Sequence, residues 1–229
     1  IGSIGVDTSF YRVHWPVMMV FSGMLYYFLW NDHQLSTVEG AVLFIGLIFF
    51  VVYLIQNQKT AIDSISDLEE VDDALVKVSG SKIGLWLLIG ATALYFGSEW
   101  LLRGATEIAL KVGVSEAVIG VTMIAIGTSI PELAASVMAA VKKEKAISLG
   151  NLIGSNIFNI GSVLGITSMI KTIPVTAPSI LSRDIFWMLL FAVSIAVLAL
   201  LPKRNQINQI KGFVLVVLYG VFIYIAFKG

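Results

Sequence analysis

Residues 118–165 decide the fold, and they read VIGVTMIAIGTSIPELAASVMAA, then the basic hinge VKKEKAIS, then LGNLIGSNIFNIGSVLG. Both apolar stretches are long enough to cross a bilayer, and each carries polar residues near its middle. Glu132 has no basic residue within eight positions on either side. A carboxylate at membrane depth costs about 2.5 kcal/mol or more, so it requires water, an ion or a proton. The pattern therefore predicts a functional carboxylate inside the membrane.

The first stretch is predicted to be a helix with one polar stripe. At 100° per residue, that stripe contains Thr122, Ala125, Ser129, Glu132 and Ser136, with Thr128 at its edge. Pro131 has no N–H, and its ring presses on the carbonyl of Gly127, four residues back. The helix is therefore expected to kink or open beside Glu132 and to free carbonyl oxygens there.

The second stretch has two distinct faces. One face is lined by glycines, which permit close helix contact: Gly150, Gly154, Gly161 and Gly165. A separate stripe is polar and consists of Asn151, Ser155 and Asn159. Together the two stretches offer carboxylate, hydroxyl, amide and carbonyl oxygens, the ligands that suit hard cations such as Ca²⁺ or Na⁺.

The string GTSIPEL at 127–133, followed by GNLIGSNIFNI at 150–160, resembles the second α-repeat of the cation/Ca²⁺ exchanger superfamily, to which sodium/calcium exchangers belong. The resemblance extends to GSEWLLRGA at 97–105. It implies a prokaryotic-type secondary antiporter that exchanges Ca²⁺ for Na⁺ and is neither an enzyme nor dependent on a cofactor. The residues expected to bind the cation are Glu132, Thr128, Ser129, Ala125, Ser155 and Asn159.

Some alternatives stay open at this point. The hydroxyls of Thr128 and Ser129 could bond to their own helix. The resemblance also admits H⁺ in place of Na⁺ as the counter-ion. Potassium-dependent relatives carry Asp where this chain has Asn159, which favours the potassium-independent branch. An intramembrane enzyme using Glu132 as a general base would need a second acid or a nucleophile, and Glu99 is predicted to pair with Arg103 four residues on.

Composition fixes the broad class. With 57% hydrophobic and 13% charged residues, the chain is predicted to be an integral membrane protein whose partner is the lipid bilayer. A net charge of zero argues against a nucleic-acid partner. The absence of cysteine excludes disulfides and thiolate metal sites. Because the sequence begins at Ile1 rather than Met, we expect it to be part of a longer protein.

Seven apolar segments have the length of membrane helices, and no segment alternates like a barrel strand. They are 15–31, 38–56, 83–103, 115–140, 146–170, 184–201 and 211–228. The predicted fold class is all-α integral membrane, with seven transmembrane helices of ten expected in a 5+5 inverted repeat. The Lys and Arg residues divide ten to five between the two sides, which places the 57–82 loop in the cytoplasm and the C-terminus outside, as for a prokaryotic inner-membrane protein.

An internal repeat supports this organisation. Ile4-Gly5-Val6 leads to Gly40 and a long apolar run, as Ile173-Pro174-Val175 leads to Gly212 and another. The predicted domains are therefore 1–56, the last two helices of a first repeat; 57–82, an acidic cytoplasmic linker; and 83–229, a complete second repeat. The linker is interpreted as an amphipathic helix at the membrane surface rather than as a regulatory Ca²⁺ site. A first α-repeat of the same protein is expected to supply the other half of the cation site, the alternative being a second copy of this chain.

Overall fold

The computed structural model describes residues 4–6, 9–66, 79–113, 116–142, 145–201 and 206–228. Side chains are described for all of these residues except 4–5, 58–66, 116–126, 128, 145–149 and 227–228. The chain forms two compact units, the first made of Ile1–Leu54 with Met138–Gly229 and the second of Ile55–Val137.

Helices account for most of the described chain. The α-helical segments are α1 (Trp15–Asp32), α2 (Thr37–Ser66), α3 (Gly80–Lys111), α4 (Glu116–Val141), α5 (Lys145–Phe158), α6 (Gly165–Ile170), α7 (Ile185–Leu200) and α8 (Gln209–Lys228). Three π-helical turns join them: Phe10–His14 leads into α1, Asn159–Leu164 connects α5 to α6, and Ile180–Asp184 leads into α7. We call the unbroken helix at 145–170 the α5–α6 rod.

Counted as continuous helices, the described ranges contain seven, which confirms the all-α membrane fold. Five of them are long and apolar enough to span a bilayer. A candidate membrane span at Thr37–Asn57 agrees with the predicted apolar segment 38–56, and α2 continues beyond it to Ser66. Of the predicted linker, residues 67–78 lie outside the described residues. They include most of its acidic side chains.

The hydrophobic core of the first unit lies where α1, α2 and the α5–α6 rod meet. Its most buried side chains are Met18, Phe21, Leu25, Leu43, Leu47, Ile153, Ile157 and Ile160. Ile153 and Ile157 are each only 1% exposed and lie one turn apart, so this face of the rod is fixed against its neighbours. By contrast, α3 in the second unit has no buried residue.

Four two-residue strands tie α1 to α7. They are β1 (Ile4–Gly5), β2 (Gln34–Leu35), β3 (Ile173–Pro174) and β4 (Gln206–Ile207). β1 pairs antiparallel with β4, and β2 pairs antiparallel with β3. The indole N–H of Trp15 adds a 2.8 Å hydrogen bond to the carbonyl of Ala192. The sequence analysis did not predict these strands, because two residues are too few to show an alternating pattern.

The same order of elements occurs twice in the first unit. A short strand, a π-helical turn, an α-helix, a second short strand and another helix follow one another from Ile4 to α2, and again from Ile173 to α8. Strand β1 precedes α1 and pairs with β4, which follows α7. Strand β3 precedes α7 and pairs with β2, which follows α1.

Candidate cation-binding site

Helix α4 carries the candidate carboxylate and runs without interruption through Pro131. Helix α4 therefore does not open at this proline, and a kink remains the predicted distortion. Proline removes one backbone hydrogen bond, and the remaining bonds of an apolar helix are retained because open backbone in lipid is costly. The carbonyl of Gly127 still lacks the N–H that residue 131 would otherwise provide.

Glycine 127 also brings α3 close to α4. A Cβ atom at this position would lie 2.7 Å from the Cδ2 atom of Leu102. Such a distance is shorter than any ordinary carbon contact, so a Cβ atom here would force the terminal methyl groups of Leu102 to shift. The contact lies just over one turn before Glu132 and packs that part of α4 against α3.

Glu132 is half-buried, and its Oε2 atom is shielded from solvent. Ser129, three residues earlier on the same helix face, is exposed. The side chains of Ala125 and Thr128 lie outside the described residues, although the helix backbone at both positions is described. Of the predicted α4 ligands, the structure therefore describes the side chains of two.

The α5–α6 rod carries the other predicted ligands. The hydroxyl of Ser155 donates to the carbonyl of Leu152 at 3.1 Å, and the side-chain amide of Asn156 donates to the same carbonyl at 2.8 Å. Ser155 nevertheless keeps lone pairs on its oxygen for a cation. Asn159 is exposed and begins the π-helical turn, and its side chain makes no hydrogen bond with the described part of the chain.

The glycine face of the rod was predicted correctly in part. Gly161 and Gly165 are buried and contact α1 and α2, where a Cβ atom would meet neighbours at 2.8 and 3.1 Å respectively. Gly150 and Gly154 have open space around the same position. The difference arises because only the later part of the rod lies against α2.

The predicted ligands fall into two groups. Ser129 and Glu132 belong to the second unit, whereas Ser155 and Asn159 belong to the first. Within each group the residues are three or four positions apart on one helix, so their oxygens lie on a common side. Each group taken alone offers oxygen ligands of the type that binds Ca²⁺ or Na⁺.

The predicted ion pair on α3 is present. The guanidinium of Arg103 donates a short hydrogen bond to the Glu99 carboxylate, four residues before it. The Glu99 carboxylate is therefore engaged within its own helix, as the sequence indicated.

Comparison with known proteins reveals clear similarity. Residues 82–228 match the family model described as sodium/calcium exchanger protein. The chain is 34% identical over 228 residues to CaxA, a proposed antiporter of Alkalimonas amylolytica, a match covering 99% of this chain and 71% of that protein. It is 44% identical over 115 residues to the sodium/calcium exchanger MaX1 of Methanosarcina acetivorans, covering 50% of this chain and 33% of MaX1. A structure of the sodium-calcium exchanger NCX_Mj, soaked with zero Na⁺ and Ca²⁺, superposes with a TM-score of 0.72 at 26% identity, over 97% of this chain and 67% of that one.

Proposed function

Because the chain belongs to the sodium/calcium exchanger family, we propose that it exchanges Ca²⁺ for Na⁺ across the membrane by alternating access around the Glu132 carboxylate. The family consists of integral membrane antiporters rather than enzymes, which removes the support for Glu132 as a catalytic base. The observation that carries the proposal is the placement of this carboxylate, with one oxygen shielded from solvent, in the middle of an apolar helix.

The proposed cation ligands are Glu132, Thr128, Ser129, Ala125, Ser155 and Asn159. Glu132 supplies the negative charge, and the others supply neutral hydroxyl, amide or carbonyl oxygens. A set with few charges and many neutral oxygens suits Ca²⁺ and Na⁺, which take the same kind of ligand. Competition for shared oxygens is what an exchange cycle requires, because one ion must leave before the other binds.

The counter-ion is tested by measuring Ca²⁺ uptake into vesicles with separate Na⁺ and pH gradients. We expect an outward-directed Na⁺ gradient to drive uptake at constant pH, and a pH gradient without Na⁺ to have little effect. Uptake driven by the pH gradient alone would instead identify a proton-coupled Ca²⁺ antiporter. Failure of both gradients to drive uptake would contradict the antiporter proposal.

The proposed orientation has the 57–82 segment in the cytoplasm and the C-terminus outside. The excess of Lys and Arg on one side of the helices supports it. Because the chain contains no cysteine, single cysteines can report the side directly. A cysteine replacing Ser81 should react with a membrane-impermeant maleimide only in inside-out vesicles, and one replacing Lys171 only in right-side-out vesicles. The reverse pattern would invert the topology.

We also propose the domain organisation 1–56, 57–82 and 83–229, with a first α-repeat of the same protein completing the cation site. The repeated order of strand, π turn and helices supports this division. Ca²⁺ binding by the 229-residue chain should therefore be weaker than binding by the protein extended to include such a repeat. Equal binding and exchange by the short chain as a monomer would contradict a site built from two halves.

A further inference from the structure

The π-helical turn of the α5–α6 rod begins at the proposed ligand Asn159. Its defining bond runs from the N–H of Gly165 to the carbonyl of Ile160, five residues back. Turns of this type place one extra residue in the helix and change the direction of the residues around it. Local helix geometry therefore changes at the position where the rod presents a cation ligand.

The spacing of the buried residues explains why the turn is needed. Ile153, Ile157, Gly161 and Gly165 are buried and follow one another at intervals of four. In a regular α-helix each step of four residues advances about 40° beyond a full turn, so three steps drift by about 120°. The extra residue of the π-helical turn offsets this drift. All four residues can then face the same neighbours.

Gly161 is the point of closest approach within the turn. A Cβ atom there would lie 2.8 Å from the Cβ atom of Leu47 on α2 and 3.0 Å from the ring of Phe21 on α1. Leu47 and Phe21 are themselves 6% and 5% exposed, so neither has room to withdraw. The missing side chain of Gly161 allows these two residues to hold the turn in place.

Asn159 depends on the backbone for its orientation. Its neighbours Ile157 and Ile160 are buried, at 1% and 6% exposure, whereas Asn159 is exposed. The described part of the chain provides no hydrogen bond to its side-chain amide. The direction of the amide therefore follows from how the π-helical turn is seated on α1 and α2.

We propose that Gly161 is a positioning residue for Asn159: the contact of its backbone with Leu47 and Phe21 holds the π-helical turn and so aims the amide oxygen at the cation. This inference rests on the proposed role of Asn159 as a ligand. It assigns a function to a residue that itself offers no side-chain oxygen.

The test compares Gly161→Ala, Asn159→Ala and the double variant in the full-length protein, by measuring the dependence of vesicle uptake on Ca²⁺ concentration. Gly220→Ala on α8 is the matched control, because a Cβ atom there meets nothing within 4 Å. We expect Gly161→Ala to raise the half-saturating Ca²⁺ concentration by about tenfold, as loss of a group that orients a metal ligand does. The maximal rate per folded protein should be retained. The double variant should match Asn159→Ala, because no ligand is left to misplace.

Several results would overturn the inference. An unchanged half-saturating concentration with less folded protein would indicate a purely structural role for Gly161. Additive effects in the double variant would show that Gly161 and Asn159 act separately. If Asn159→Ala itself binds Ca²⁺ normally, both the ligand assignment and the inference fail, whereas the first two results leave the ligand assignment standing.

A second variant covers the case in which Gly161→Ala does not fold. Phe21→Leu removes the ring that approaches the turn from α1, without adding atoms to the rod. It should also raise the half-saturating Ca²⁺ concentration by several-fold, because the turn loses one of its two contacts. A normal value in folded Phe21→Leu protein would contradict the proposal.

Discussion

Helix α4 and the α5–α6 rod carry the two groups of proposed ligands, and they differ in how their helices are built. Helix α4 contains Pro131 and continues as an uninterrupted α-helix, whereas the rod contains no proline and includes a π-helical turn. A proline removes one hydrogen bond from α4, whereas the π-helical turn of the rod lies beside glycines that pack closely against α1 and α2. The helix that departs from α geometry is therefore the one with close tertiary contacts and not the one with proline.

The largest difference between the two helices should appear on removal of charge, because only α4 carries a proposed charged ligand. Glu132→Gln keeps the shape of the side chain and should weaken Ca²⁺ uptake by about 100-fold or more, since a direct ligand matters more than a group that orients one. Glu107→Gln, at an exposed carboxylate on α3, is the control and should transport normally. Uptake at the parental rate by the Glu132 variant would remove α4 from the site.

The second prediction concerns the contact that seats the rod on α2. A Cβ atom at Gly40 would lie 1.8 Å from the Ser168 hydroxyl oxygen and 2.7 Å from the carbonyl oxygen of Gly165. Ser168 is fully buried, so Gly40→Ala should reduce stability by about 1–3 kcal/mol through overpacking. Gly212→Ala is the matched control, because Gly212 is the counterpart of Gly40 in the sequence repeat and has open space around it. Thermal unfolding in detergent measures both, and equal melting temperatures would show that α2 does not constrain the rod.

The third prediction tests whether the proline acts through the backbone. Pro131→Ala restores an N–H that can bond to the carbonyl of Gly127, so α4 should become more stable, by up to about 3 kcal/mol. If that carbonyl contributes to the site, the half-saturating Ca²⁺ concentration should rise by roughly fivefold, as when a neutral hydrogen-bonding partner is lost. Measuring unfolding and uptake on the same preparation separates the two effects. Greater stability with unchanged Ca²⁺ affinity would exclude the carbonyl as a ligand.

The smallest effect is expected at Ser155 on the rod. Its hydroxyl already donates to Leu152, so it offers the cation only a neutral oxygen. Ser155→Ala should raise the half-saturating Ca²⁺ concentration by roughly twofold to fivefold, since it removes one neutral contact. An effect as large as that of Glu132→Gln would mean that the rod contributes as much to binding as α4.

The sequence predicted those parts of the structure that depend on local chemistry. All seven helices follow from apolar segments of membrane length, and the Glu99–Arg103 pair follows from its spacing of four residues. Helix α2 extends to Ser66, into the segment interpreted as an amphipathic helix and beyond the apolar segment that ends at residue 56.

The missed features depend on contacts between distant segments. The π-helical turn could have been suspected from the four-residue spacing of Ile153, Ile157, Gly161 and Gly165, but no local pattern marks the approach of Leu47 and Phe21 to it. The strand pairs likewise join residues that are far apart in the chain, and no local pattern marks them. The proposed ligands themselves were found from residue type and motif, and their assignment stays a prediction.

The paired strands at the two ends of α1 and α7 have a consequence for biosynthesis. Ile4 pairs with Ile207 and Leu35 with Ile173, so α1 is translated well before the strands that its flanking residues pair with. During insertion into the membrane, α1 therefore precedes α7. Until α7 follows, the indole N–H of Trp15 and the backbone of the strands that flank α1 lack the hydrogen-bond partners of the folded protein. Contacts between such distant segments form slowly, because a long loop must close first. Closure of these two strand pairs should be a late step of folding, and the membrane or a chaperone must protect the exposed groups of α1 until then.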